Sequence, residues 1–187
     1  MTSEVFSRLN SLHFPKPSGI FAMDGKLDTS ASLLASHEGV QLYAAIRGSQ
    51  LYVATNPSRL QHADVFLFIA FTPGHMQNAP FGKKGSVASW SAFLCNRYKD
   101  TTASWYDASS APFENIADEK IGSVLEGVID FELLAGAVPS TIYIAVGKYE
   151  RTRGGRLIAK LPVSEHNGDI AAAEFYKLAV PGTSRNN

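Results

Sequence analysis

The run Val65-Phe66-Leu67-Phe68-Ile69-Ala70-Phe71 is apolar at every position and opens behind Asp64. A strand with one wet face alternates apolar and polar residues. One that is apolar on both faces belongs inside a packed sheet, not at its edge. Upstream, residues 41–46 and 51–55 are short runs rich in aromatic and β-branched side chains, and Arg47-Gly48-Ser49-Gln50 between them is a connection of hairpin length. Residues 39–71 therefore read as a meander feeding a central strand, the core of an all-β fold.

Turn residues divide the rest of the chain. Residues 1–18, polar with Pro15 and Pro17, read as an arm or linker, residues 19–180 as one β-sandwich domain, and residues 181–187 as a frayed tail. A first strand is expected at 19–23, ended by Asp24-Gly25, then one or two helical turns at 27–35 capped by Asp28 or Thr29. Residues 72–85 and 107–122 read as long loops forming a rim. Strand character over 86–98 and 101–106 places Trp90 and Trp105 on neighbouring strands of one hairpin. Residues 123–131 alternate: Val124, Glu126, Val128 and Asp130 share one face, and Leu125, Gly127, Ile129 and Phe131 the other. A helical turn is expected at 132–137, strands at 141–149 and 156–163, and a short helix at 169–178. About nine strands with one or two short helices predict an antiparallel β-sandwich or jelly roll.

Composition narrows the function classes. Apolar residues make up 45% of the 187 and charged residues 18%, which suits a packed core and not disorder. Lys plus Arg equals Asp plus Glu at 17 each, so no net field draws nucleic acid or an anionic membrane, although a local patch is compatible with neutrality. A lone Cys95 excludes an intrachain disulfide and a Cys-based zinc site, and reads as a small buried apolar residue. No stretch approaches the ~20 apolar residues of a membrane helix, and the N-terminus lacks the apolar segment of a signal peptide. Both a cytoplasmic chain and a piece of a larger exported protein fit such an N-terminus.

Residues 90–107 hold the inventory of a sugar-binding surface: Trp90, Asn96, Arg97, Tyr98, Trp105, Tyr106 and Asp107. Pyranose C–H faces stack on flat rings, while carboxylates, amides and guanidinium groups bond the hydroxyls. The competing reading makes both tryptophans core packing, since Trp90 shares a strand face with Ala92 and Leu94. Of Trp105 and Tyr106, adjacent and pointing oppositely, one faces outward on either reading. Five histidines, His13, His37, His62, His75 and His166, are scattered without metal-ligand spacing. Asp24, Asp28, Asp64, Asp107 and Asp130 stand at strand ends or turns, where they cap turns or supply oxygen ligands to a structural calcium ion. For acid–base chemistry the pairs are Glu126 with Asp130, about 13 Å apart along a strand, or Glu114 with Glu119. Glu126, on an otherwise apolar strand, is expected to pair with an Arg or Lys. No nucleophile elbow, phosphate loop or zinc-protease motif occurs.

Four segments resemble the DOMON-like superfamily of β-sandwiches, and within it carbohydrate-binding module family nine. Met23-Asp24-Gly25-Lys26-Leu27-Asp28 resembles that family's opening, residues 43–55 its hairpin with a turn before Leu51-Tyr52-Val53, Asp64-Val65-Phe66-Leu67-Phe68-Ile69 its next strand, and Glu126-Gly127-Val128-Ile129-Asp130-Phe131 its late strand. The resemblance implies a noncatalytic module that binds an oligo- or polysaccharide as an appendage of a larger polysaccharide-active enzyme, such as a glycoside hydrolase, outside the cell or in the periplasm. It also leaves open a structural or interaction domain with no ligand of its own. A third branch binds haem, for which His75 with Met76 or Met23 are the available ligands; adjacent His75 and Met76 cannot hold opposite sides of one iron.

Overall fold

A computed structural model of the chain describes residues 20–163 and 168–182. The expectations for the arm 1–18, for His13 and His166 and for the tail 183–187 lie outside these residues. The described chain folds as two antiparallel sheets laid face to face, flanked by short covering segments.

The front sheet begins with the meander. Strands β1 (Ser32–His37), β2 (Val40–Arg47) and β3 (Gln50–Thr55) are consecutive hairpins, and Gly48 at φ 58 makes the tight turn that pairs Arg47 with Gln50. A short helix, α1 (Ser58–Gln61), carries the chain across to the back sheet, where β4 (Asp64–Ala70) occupies the middle. Every residue of β4 is buried, as its two-sided apolar pattern requires. Val65, Leu67 and Ile69 face the space between the sheets; Phe66, Phe68 and Ala70 face the other way.

Strand β4 is followed by a small ribbon of β5 (Met76–Asn78) and β6 (Ser86–Ala88), joined through a 3-10 turn at Pro80–Gly82. The long loop expected at 72–85 is therefore not a rim. It lies over the back sheet's outer face and, with Ile170 and Phe175, encloses an aromatic layer built on Phe66, Phe68 and Phe93. The back sheet continues through β7 (Ala92–Asn96) and β8 (Ser104–Asp107).

The expected loop at 107–122 contains β9 (Ala117–Ile121), the edge of the front sheet beside β10 (Leu125–Asp130). Strand β10 places Leu125 and Ile129 in the central core and Val128 on the outside, the alternation read from sequence. Asp130 then caps α2 (Phe131–Ala135) by accepting the Leu133 N–H, and Gly136 closes that helix. Strand β11 (Thr141–Tyr149) pairs with β4 on one side. On the other it pairs with β12 (Leu157–Leu161) along its second half and β13 (Tyr176–Ala179) along its first.

Two expected helices are absent and one expected strand is irregular. Residues 27–35 form a turn leading into edge strand β1, and residues 169–178 form a 3-10 turn at Ala172–Glu174 followed by β13. Sheet edges that lack a neighbour recruited both segments, overriding weak local helix preference. Residues 20–23 are irregular and lay Phe21 and Met23 over the front sheet's outer face.

Candidate functional site

The tryptophans belong to two separate layers. Trp105 on β8 stands opposite Leu94 and points between the sheets, where it is 1% exposed and donates its indole N–H to the Asp118 carbonyl at 3.0 Å. Its ring lies against the Gly127 backbone: a Cβ there would come 2.7 Å from the indole Cζ2. Trp90 precedes β7 instead of lying on it, packs with Phe68 and Phe93 on the opposite face of the back sheet, and is 7% exposed. Its N–H reaches the Asp107 carbonyl at 3.3 Å. Neither indole offers a face to a sugar, so the stacking platform expected at Trp90 and Trp105 is replaced by core packing. Both ring nitrogens find carbonyl partners, as buried indoles require.

Two further predicted contacts are also spent internally. The buried Asn96 amide accepts from Ser58 N–H at 2.9 Å and donates to the Asp100 and Thr102 carbonyls, both at 3.3 Å. Buried Asp107 binds back on its own turn, accepting from the Ser109 N–H, the Ser109 hydroxyl and the Ala111 N–H. Tyr106 is half-buried, stacked on Phe93 with centroids 5.1 Å apart and edge-on to Phe81.

Arg97 and Tyr98 remain at the surface. They lie on the turn after β7, at the end of the sandwich where α1 sits, and Asn96 holds that turn from inside. Arg97 pairs with Asp100 at 3.0 Å. The half-buried Tyr98 ring lies under the Arg151 guanidinium, 4.9 Å from its centroid, and is tilted against His62 with centroids 5.7 Å apart.

A buried ion pair organises this end. Asp64, the first residue of β4, accepts from the Tyr98 N–H through Oδ1 at 2.7 Å and meets Lys83 Nζ through Oδ2 at 2.7 Å. The same ammonium donates to the Glu150 and Thr152 carbonyls at 2.6 and 3.0 Å. Three segments distant in sequence, 83–84, 97–100 and 150–156, are thus tied to one carboxylate. Sequence reasoning missed Lys83 and Arg151, and it counted His62 only among the scattered histidines. The signal available was the density of Arg in Arg151-Thr152-Arg153-Gly154-Gly155-Arg156 beside a turn.

The remaining candidates have local partners. Asp24 and Asp28 accept from Lys26 and Ser30 in turns, and Asp130 caps α2 and accepts from Ser49. Among the described residues no group of three or more His, Cys, Asp or Glu converges as a metal site. Met23 packs on the front sheet's outer face, whereas His75 and Met76 are exposed on the ribbon covering the back sheet, so His75 and Met23 cannot share one iron. Burial pushes the Cys95 thiol well above its usual range, which keeps it protonated.

Glu126 meets neither Arg nor Lys. It accepts from the Gly25 N–H at 2.5 Å and the Tyr52 hydroxyl at 2.8 Å, and burial raises its carboxyl above the ordinary range. Two open grooves elsewhere, of about 410 Å³ beside Phe71, Tyr143 and Lys177 and about 250 Å³ beside Leu34, Ile46 and Arg47, carry one cation each. Among the described residues no helix is long and apolar enough to cross a membrane. In comparisons with known proteins, no family model matches the chain and no curated protein matches it.

Proposed function

We propose that the chain is a noncatalytic carbohydrate-binding module, an appendage of a larger polysaccharide-active enzyme, and that its binding face is the end of the sandwich carrying Arg97 and Tyr98. The observation that carries this reading is a cluster of hydrogen-bonding side chains, three exposed and one half-buried, on a base held by internal hydrogen bonds. Arg97, Tyr98, His62 and Arg151 gather over the turn that Asn96 and Asp64 hold from beneath. Guanidinium, imidazole and phenol groups suit sugar hydroxyls, and a fixed base spares the ligand the entropy of ordering them. The resemblance to DOMON-like modules adds support. Three of its segments meet at one point, where Glu126 holds Gly25 and Tyr52.

Affinity electrophoresis of the chain against a panel of soluble polysaccharides tests the reading. At least one gel retards the wild type, and Tyr98→Ala abolishes the retardation while costing about 1–2 kcal/mol of stability, as expected for a half-buried ring. A panel that retards nothing overturns it.

A second reading, an interaction domain with no glycan ligand, is favoured by one feature. Edge strands β1 and β12, which belong to different sheets, come into contact, and Leu33 and Ile158 on them are 52% and 53% exposed. An empty glycan panel together with a folded domain supports that alternative.

A further inference from the structure

We propose that the Tyr98 end of the sandwich selects an anionic polysaccharide, one bearing uronate carboxylates or sulfate esters. The proposal rests on the glycan-binding reading and adds the ligand's charge.

Further cations surround the Asp64–Lys83 pair. Lys84 is fixed beside the 150–156 turn by its N–H to the Gly155 carbonyl at 3.0 Å, while Arg151 reaches the other way over Tyr98. The nearby carboxylates are already matched: Asp64 to Lys83, Asp100 to Arg97, and Glu150 to Arg156. Lys99, Arg151 and Arg153 are exposed and have no ion-pair partner among the described residues, and the exposed Lys84 shares the field of Glu150 with Arg156. The chain as a whole carries 17 cationic and 17 acidic side chains, so this surplus is a local polarity, not part of a general positive charge. Several unmatched cations on one face raise the local concentration of anions. Guanidinium groups in particular grip carboxylates and sulfates through paired N–H donors.

The rings argue in the same direction. A neutral sugar held at a protein surface relies on an open aromatic face, but both indoles are interior and the Tyr98 face lies under Arg151. Charge supplies the attraction that stacking does not. The covered ring also disfavours single-stranded nucleic acid, whose binders stack bases on open rings.

Calorimetric titration of the full chain separates the outcomes. The probes are polygalacturonate for the uronate arm, dextran sulfate for the sulfate arm, and, as neutral controls, cello- and malto-oligosaccharides; single-stranded oligodeoxynucleotide is the competing polymer. Binding to one anionic glycan is expected to weaken about tenfold between roughly 50 and 300 mM salt, since exposed charges are screened over that range. The Arg151→Gln/Arg153→Gln variant is expected to lose at least about tenfold in affinity at unchanged melting temperature, with Arg151→Lys retaining part of it. Neutral oligosaccharides that bind as tightly as the anionic glycans, independent of salt and of both arginines, overturn this inference while leaving the glycan reading intact. Absence of binding to every glycan overturns both. An oligodeoxynucleotide that binds more tightly than any glycan overturns the choice of polymer.

Discussion

The sandwich has two flanks, and each is fastened by one buried acid in a different way. On the front flank, residues 20–31 lie over Tyr52, Ala54 and Val128, and Glu126 fastens them through neutral donors, the Gly25 N–H and the Tyr52 hydroxyl. On the back flank, the β5–β6 ribbon lies over Phe66, Phe68 and Phe93, and Asp64 fastens its connection through the Lys83 ammonium. Neutral donors do not fully replace the water lost from a carboxylate, and burial accordingly raises Glu126. A buried counter-charge binds more strongly but leaves an unpaired ion if either partner is lost. The front fastener is therefore sensitive to pH and the back one to mutation. Only the back one stands beneath the cation-rich end.

The largest expected effect is on the back flank. Lys83→Met leaves the Asp64 carboxylate buried without its cation and is expected to cost about 3–5 kcal/mol in denaturant unfolding. A loss below about 1 kcal/mol means that Asp64 is hydrated and the two flanks are not distinguished by charge. The matching change in front is milder. Tyr52→Phe removes one donor from Glu126, and burial pushes the Tyr52 phenol upward so that it stays a donor. About 1–2 kcal/mol is expected, and a cost equal to that of Lys83→Met erases the contrast.

The smallest effect is the pH dependence of Glu126. Its folded pKa lies above the ordinary value of 4.5, so between the two values the folded state holds more proton than the unfolded. This group's contribution to stability is greatest below 4.5 and is lost as pH rises through the raised folded value. Asp28, lowered chiefly by its hydrogen bond from Ser30, works in the opposite sense at lower pH. Subtracting the Glu126→Gln profile isolates Glu126: wild type minus variant is expected to fall as pH rises from 4.5, and a flat difference contradicts the raised carboxyl.

Strands whose burial is decided by their own residues were legible in the sequence. The two-sided run of β4, the alternation of β10 and the full span of β11 follow from side-chain period alone. Segments that act as covers or edges were not, because their conformation depends on the surface they meet. Residues 72–85 look like a loop from their Gly and Pro content, and nothing local says that they lie flat over Phe66 and Phe68.

For the site, residue type was informative and direction was not. Trp90 falls after the break that ends β6, and Trp105 stands in register with Leu94; both facts concern pairing between distant positions, and together they send the indoles to opposite faces of one sheet. Arg97 and Tyr98, next to the buried Asn96, escape inward packing because the chain turns there. Lys83 arrives from elsewhere in the chain to pair with Asp64 and Arg151 to cover the Tyr98 ring, links with no sequence signature.

The central claim is that this end, and not the tryptophans, meets the ligand. Two-dimensional ¹H–¹⁵N spectra recorded during titration with polygalacturonate test it directly. The account predicts shifts in the backbone signals of Arg97, Tyr98, Lys99 and residues 151–153, with the two indole N–H signals unmoved. Indole signals that shift while Tyr98 and Arg151 stay still would contradict it.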